Sequence, residues 1–259
     1  MLIKLGGTLL ASGESRADLA SQLAAVAKRH ELVVVHGGGR QVTRVLEEQG
    51  IASRFVNGLR VSDRAVIDAV TRVIAGEVNK RLVSALLGAG IAALGLSGID
   101  GRLTTVTELN PQLGFVGKPI GTDGALLRLL VNAGYVPVVA CIAADSQGTI
   151  YNVNADEMAV SCAMGWQAER LLFLTDVPGV QNDRGQVIRA LSRMGVCEFI
   201  QAGLAKGGMR AKLEAAIGAL DQGLDEVAIA AGNEKNVCVR LLAGERLGTR
   251  LRSGFDSDA

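Results

Sequence analysis

The stretch Leu32-Val33-Val34-Val35-His36-Gly37-Gly38-Gly39 decides how this chain folds. Leu32 to Val35 make a strand with no polar face, as in a sheet covered on both sides. Three glycines follow. Apolar residues then return at helical spacing through Val42, Val45 and Leu46, as far as Gly50. A buried strand, a glycine turn and a helix in succession are the building unit of an α/β layered fold with a mainly parallel sheet.

The same alternation extends in both directions. Leu2-Ile3-Lys4-Leu5 reads as a strand ending in Gly6-Gly7. Ser15 is a candidate helix cap, with Asp18 completing a capping box and the helix running to Arg29. Asn57-Gly58 between apolar flanks signals a hairpin. A long helix is expected from Ser62-Asp63 to about Leu87, and a buried strand over 91–96. Residues 104–107 read as a strand that pairs near Phe115-Val116. A helix over 126–133 and a strand over 136–139 follow. The second half repeats the rhythm: helix 155–165, strand 171–174, loop Asp176-Val177-Pro178-Gly179, helix 209–223, strand 227–230. The polar turn Asp145-Ser146-Gln147-Gly148 suggests two closely packed lobes, 1–153 and 154–259.

Composition narrows the classes. Of 259 residues, 49% are hydrophobic and 20% charged, so the chain can bury a large core and is not a disordered one. Aromatics are only 3%, which makes that core aliphatic. The net charge is +1 with no basic run, which argues against nucleic-acid binding. The first residues are too short an apolar run for a signal peptide, and no segment approaches the ~20 apolar residues that span a bilayer. Cys141, Cys162, Cys197 and Cys238 are widely spaced and read as buried residues in a reducing compartment.

Three loops sit where ligands bind in such sheets, beyond the carboxyl ends of strands. Lys4-Leu5-Gly6-Gly7-Thr8 offers an ammonium and unobstructed backbone N–H groups to a phosphate, or else is an ordinary strand-to-helix turn. His36-Gly37-Gly38-Gly39 opens a helix, a natural anion site, though its spacing matches neither the dinucleotide fingerprint nor a Walker A loop. His36 is better suited to orienting that loop than to acting as a base. Asn152-Val153-Asn154-Ala155-Asp156 precedes a helix; Asn154 or Asp156 can cap it, or the group can hold a polar ligand. Arg60, just past the hairpin turn, suits a bidentate grip on a carboxylate, and Lys212 follows Lys206-Gly207-Gly208-Met209; either can equally be a surface charge.

Taken in order, Ile-Lys-Leu-Gly-Gly, His-Gly-Gly-Gly, Asn-Gly-Leu-Arg-Val, Asn-Val-Asn-Ala-Asp, Leu-Thr-Asp-Val-Pro-Gly-Val and Gly-Gly-Met-x-x-Lys, spanning Ile3 to Lys212, resemble the amino-acid kinase family. The resemblance implies a three-layer αβα sandwich with a mainly parallel eight-stranded sheet. It implies an N-terminal lobe that binds the acyl amino acid and forms a homodimer, and a C-terminal lobe that binds ATP. Asn57-Gly58-Leu59-Arg60-Val61 and Asn152-Val153-Asn154-Ala155-Asp156 are similar to the branch that phosphorylates the side-chain carboxylate of N-acetyl-L-glutamate in cytoplasmic arginine biosynthesis.

By position, the resemblance makes Lys4 and Lys212 the groups that stabilise the phosphoryl transition state, with Asp156 orienting both. It assigns the substrate to Gly38, Gly39, Arg60, Asn152 and Asn154. It assigns the nucleotide to Gly6, Gly7, Thr175, Asp176, Val177, Pro178, Gly179, Val180, Leu204, Ala205 and Lys206. Mg²⁺ is expected on the ATP phosphates, without metal ligands from the protein. A carboxylate, with a pKa near ~4.3, is already a nucleophile at neutral pH, which suits a chain lacking a catalytic-base constellation. Lys118 departs from the family pattern, which has an acid there. The direct start at the Lys4 strand suggests a dimer without arginine feedback. The rival reading within the family is a kinase of N-acetyl-aminoadipate or a carrier-linked substrate; outside enzymes, it is an inactive ligand sensor on the same fold.

Overall fold

A computed structural model describes residues 1–252. Its strands are β1 (Leu2–Leu5), β2 (Val33–His36), β3 (Phe55–Val56), β4 (Leu59–Arg60), β5 (Ala93–Ser97), β6 (Thr104–Glu108), β7 (Val116–Thr122), β8 (Val136–Ala140), β9 (Ile142–Ala144), β10 (Ile150–Val153), β11 (Arg170–Thr175), β12 (Ala190–Leu191), β13 (Glu226–Ala231) and β14 (Thr249–Arg252). Its helices are α1 (Gly13–Ala27), α2 (Gly39–Glu48), α3 (Arg64–Val70), α4 (Asn79–Gly88), α5 (Gly124–Asn132), α6 (Ala155–Trp166), α7 (Arg193–Gln201), α8 (Gly207–Asp221) and α9 (Val237–Leu242).

The main sheet has eight strands in the order β12-β14-β13-β11-β1-β2-β8-β5. From β13 to β5 every pairing is parallel; β14 runs antiparallel to β13, and β12 follows β14. All-apolar strands stay in the middle because both faces are covered. Helices α1, α4 and α9 pack together as one layer, and α5, α6 and α8 as the other. The expected αβα sandwich is therefore what forms. Val33, Val34, Val35, Leu171, Phe173 and Ile229 are essentially inaccessible to water at its centre.

Several local details differ from the sequence reading. Helix α1 is capped by Ser12, whose Oγ accepts from the backbone N–H of Ser15, so the cap lies one turn earlier than Ser15. The long helix expected from 62 to 87 is continuous from Arg64 but widens into π-helical turns over Thr71–Val78. Such widening reflects tertiary packing rather than local sequence; here it sets Ile74 and Val78 against Gly38. Strand β6 pairs along the whole of β7, with Thr104 opposite Thr122, not only near Val116. Strands β9 and β10 were not expected from sequence; with β6 and β7 they close into a small barrel. Cys141, Cys162 and Cys238 are buried, and desolvation pushes each thiol up to about 12; Cys197 is only half-buried, contrary to expectation.

The Asn57-Gly58 hairpin forms as read. Asn57 (φ 50°) and Gly58 (φ 81°) both take the left-handed conformation that a two-residue primed turn between β3 and β4 requires.

Candidate active site

Register places the site. Leu5 at the end of β1 lies beside Leu174 of β11 and His36 of β2. The loops after these three adjacent strands therefore emerge together at the carboxyl edge of the sheet. They are the Thr175-Asp176 loop, Gly6-Gly7, and Gly37-Gly38-Gly39. Gly6 N–H bonds Leu174 O (2.9 Å) and Gly37 N–H bonds Leu5 O (3.2 Å), so the loops are laced to one another. A Cβ on Gly7 would sit 3.2 Å from Gly38 Cα and Gly39 N, so the two glycine loops pack backbone to backbone.

His36 anchors this arrangement. It is fully buried; its Nε2 lies 3.0 Å from Asn79 Nδ2, and its Nδ1 3.0 Å from Gly37 O. Asn79 Nδ2 also donates to Val138 O (2.9 Å), which fixes it as the amide nitrogen. His36 Nε2 is thus the acceptor and Nδ1 carries the proton donated to Gly37 O. Burial lowers its pKa to about 4, so the ring is neutral and serves the loop as a brace, as expected.

Lys4, Asp156 and Lys212, from three distant parts of the sequence, converge here. Lys4 Nζ is 2.7 Å from Asp156 Oδ1, and Lys212 Nζ is 3.2 Å from Asp156 Oδ2. Asp156 and Lys4 are buried, and Lys212 nearly so. Asp156 lies in the first turn of α6, where exposed backbone N–H groups favour negative charge. Burial alone would raise its pKa, but Lys4 and Lys212 outweigh it and hold the carboxyl below the ordinary range. For Lys212, desolvation and the neighbouring Lys4 outweigh Asp156, leaving its pKa lowered. One carboxylate facing two ammonium groups leaves a net positive charge in a dry setting, a centre suited to a polyanion.

Two subsites flank this centre. On one side, Arg60 Nη1 donates to Ser53 Oγ (2.6 Å), while Nη2 donates to Gly39 O (2.9 Å) and Thr43 Oγ1 (2.7 Å). Phe55 stacks on the guanidinium at 4.7 Å. Asn152 Nδ2 reaches Ser62 Oγ (3.3 Å), which in turn donates to Arg60 O, so Gly39, Arg60 and Asn152 form one cluster. Both bidentate faces of a guanidinium include an Nη2 hydrogen, and both of these are taken. The bidentate grip expected of Arg60 is therefore not presented in this state; one hydrogen on Nε and one on Nη1 are the donors left. Asn154 caps α6 with its side-chain oxygen, accepting from Asp156 N and Glu157 N, which leaves its Nδ2 hydrogens for a polar ligand.

On the other side, Thr175, Asp176, Val177, Gly179, Leu204 and Lys206 line a cavity of about 400 Å³ with Lys212 at its edge. Pro178 is exposed, whereas Val180 and Ala205 are buried behind this wall, with Val180 N–H bonded to Thr249 Oγ1. Burial would raise the Asp176 pKa, but its own backbone N–H, the Thr175 and Thr8 hydroxyls and Arg40 bring it down. Lys118 lies in a separate cleft of about 770 Å³, with Glu157 and Glu214. Arg40, Thr43 and Ser53 were missed in sequence. Single polar residues on otherwise ordinary helix or loop segments carry no motif, and only the fold brings them to the site.

Comparison with known proteins agrees with this geometry. A protein of Solibacter usitatus named acetylglutamate kinase is 52% identical over 97% of this chain and 98% of its own length. One of Roseobacter denitrificans with the same name is 42% identical over 92% of this chain and 84% of its own. A solved Streptococcus mutans structure, smu.665, superposes with a TM-score of 0.84 at 26% identity over 97% of this chain and 98% of that one. The sequence pattern of the amino acid kinase family matches residues 1–231, and with relatives this similar along nearly their whole length the chain belongs to that family.

Proposed function

We propose that this enzyme transfers the γ-phosphoryl group of ATP to the side-chain carboxylate of N-acetyl-L-glutamate, giving N-acetyl-L-glutamyl 5-phosphate and ADP, a step of arginine biosynthesis. The observation that carries the reading is the buried Lys4–Asp156–Lys212 cluster, set between two glycine-rich loops at the carboxyl edge of the sheet. The names borne by relatives of 52% and 42% identity support the choice of substrate.

A carboxylate oxygen attacks the γ-phosphorus, a new P–O bond forms, and the bond to the β-phosphate oxygen breaks, with the electron pair leaving on ADP. The acceptor is already ionised, so no proton need be removed. His36, neutral and enclosed, is accordingly no base. The difficulty is charge: an anion must approach a polyanion. Lys4 and Lys212 each have ammonium hydrogens beyond those given to Asp156, and these are the donors for phosphoryl oxygens as charge redistributes. Asp156 keeps the two like charges together without neutralising both.

Residues 1–153 hold the acyl amino acid, through Gly38, Gly39, Arg60 and Asn152. Residues 154–259 hold the nucleotide through the Thr175–Gly179 and Leu204–Lys206 segments, with Gly6 and Gly7 against its phosphates. Among the described residues no group of three or more His, Cys, Asp or Glu side chains is placed to hold a metal ion. Mg²⁺ would be carried on the ATP phosphates, where it would supply charge neutralisation. No helix among the described residues is long and apolar enough to cross a membrane. We assign the enzyme to the cytoplasm as a homodimer; light scattering should give twice the chain mass, and a monomer mass would overturn the dimer.

The test is ADP release coupled to a dehydrogenase, with N-acetyl-L-glutamate, N-acetyl-L-2-aminoadipate and free L-glutamate in parallel, and hydroxylamine to trap acyl phosphate. Hydroxamate should form with N-acetyl-L-glutamate far faster than with the other two. Equal or faster turnover of the aminoadipate compound would reassign the substrate, and no hydroxamate from any of them would end the reading.

A further inference from the structure

The hairpin β3–β4 and helix α2 meet at a single charged group. Arg60 is 7% exposed, an arginine almost entirely withdrawn from water with no carboxylate beside it. Burial is the cause that lowers its pKa, and no acid offsets it. Neutral oxygens hold it instead: Ser53 Oγ at 2.6 Å, Thr43 Oγ1 at 2.7 Å and Gly39 O at 2.9 Å. Thr43 Oγ1 also donates to Gly39 O at 3.0 Å. Thr43 is thus both acceptor from Arg60 and donor to the carbonyl that Arg60 shares. With Phe55 against its face, the guanidinium has little freedom of rotation.

A buried cation without a counter-ion is costly unless something negative arrives. A long side chain already locked in place loses little further entropy when it binds. We infer that Thr43, with Ser53, is a positioning residue for substrate selection. It holds Arg60 so that one of the hydrogens left, on Nε or on Nη1, meets the α-carboxylate of an N-acylated amino acid, while the side-chain carboxylate lies at Lys4 and Lys212. This rests on the reaction proposed above and adds to it the residue that makes the enzyme distinguish an α-carboxylate from its absence.

The test uses the whole protein and two ligands, N-acetyl-L-glutamate and 4-acetamidobutyrate. The second keeps the acetamide and the reacting carboxylate but lacks the α-carboxylate. Calorimetric Kd values are measured for wild type, Thr43→Val and Thr43→Ser, together with KM for ATP, kcat and Tm. Thr43→Val keeps the shape and removes the hydroxyl. It should weaken N-acetyl-L-glutamate about tenfold, the loss of one charge-assisted contact, and leave 4-acetamidobutyrate and the KM for ATP within about twofold. Thr43→Ser should restore wild-type affinity. Parallel weakening of both ligands, unchanged affinity for N-acetyl-L-glutamate, or failure of Ser to rescue would each overturn the assignment. Wild-type protein that binds N-acetyl-L-glutamate but forms no acyl phosphate separates failure of the reaction from failure of this positioning role, because the calorimetric comparison still reads Thr43.

Discussion

Two buried carboxylates in this molecule each face two cations, and they serve different ends. Asp156 is held by Lys4 and Lys212. Glu226, at the first residue of β13, is held by Arg250 at 2.8 Å and Arg252 at 2.6 Å. The charge count is the same. The head groups and their places in the sheet are not. Arg250 spends its fork on Glu226 and on the backbone oxygens of Leu241 and Glu245, and Arg252 also closes on Glu226. That cluster pins the antiparallel strand β14 to β13. Lysines are compact charges on flexible stems with three rotatable donors, so Lys4 and Lys212 can serve Asp156 and a second anion together. The Glu226 cluster also stands at the amino end of its strand, the Asp156 cluster beyond the carboxyl edge where loops open onto ligands.

The comparison breaks most sharply at Lys212. Lys212→Ala should reduce kcat by about 10²–10³-fold, the scale for removing one transition-state donor. The fold holds this ammonium below its ordinary pKa, so its charge is a net cost to folding. Urea denaturation should therefore show little or no loss of stability. Inactivity explained by unfolding would make the two clusters equivalent after all.

Glu226→Ala should show the opposite profile. It leaves Arg250 largely buried without its partner, at about 3 kcal/mol of stability or more, while kcat per folded molecule stays at the wild-type value. A drop in kcat at a temperature where the variant is folded would give Glu226 a share in function.

Acid sharpens the contrast with a third buried group that has no partner charge. His36 titrates at about 4 in the fold against an ordinary ~6.5. Its folded pKa is depressed, so its contribution is complete above pH ~6.5 and is lost as pH falls toward 4, reaching roughly 3 kcal/mol. Stability from urea melts at pH 7 and pH 4 should fall by about that much more in wild type than in His36→Gln, since Asp156 titrates in both. Identical pH slopes would mean that His36 is not the group responsible.

Much of the fold was legible because its strands are buried on both faces. Runs such as Leu32 to Val35 or Val136 to Val139 can be little else, and Asn57-Gly58 names its own turn. The strands β9, β10, β12 and β14 were not legible. They are short or at an edge, and each owes its conformation to the strand it meets. Ser12 caps α1 by accepting the Ser15 N–H, whereas a cap at Ser15 would accept that of Asp18; both serines suit the role, and only the path of the chain into α1 chooses between them. At the site, Lys4, Asp156 and Lys212 stood out through their surrounding motifs. The clamp on Arg60 did not, since Thr43 sits unremarkably in α2 and Ser53 in a loop.

The sequence by itself determined the layered α/β architecture, the glycine loops at strand ends and the candidate charges, because these depend on local pattern and on neighbours along the chain. Only the tertiary structure decided that two lysines share one carboxylate, that His36 is a neutral brace and that both Nη2 hydrogens of Arg60 are already engaged. Each of those depends on distances of about 3 Å between residues far apart in the chain, and the register of β11, β1 and β2 is what brings them to one edge.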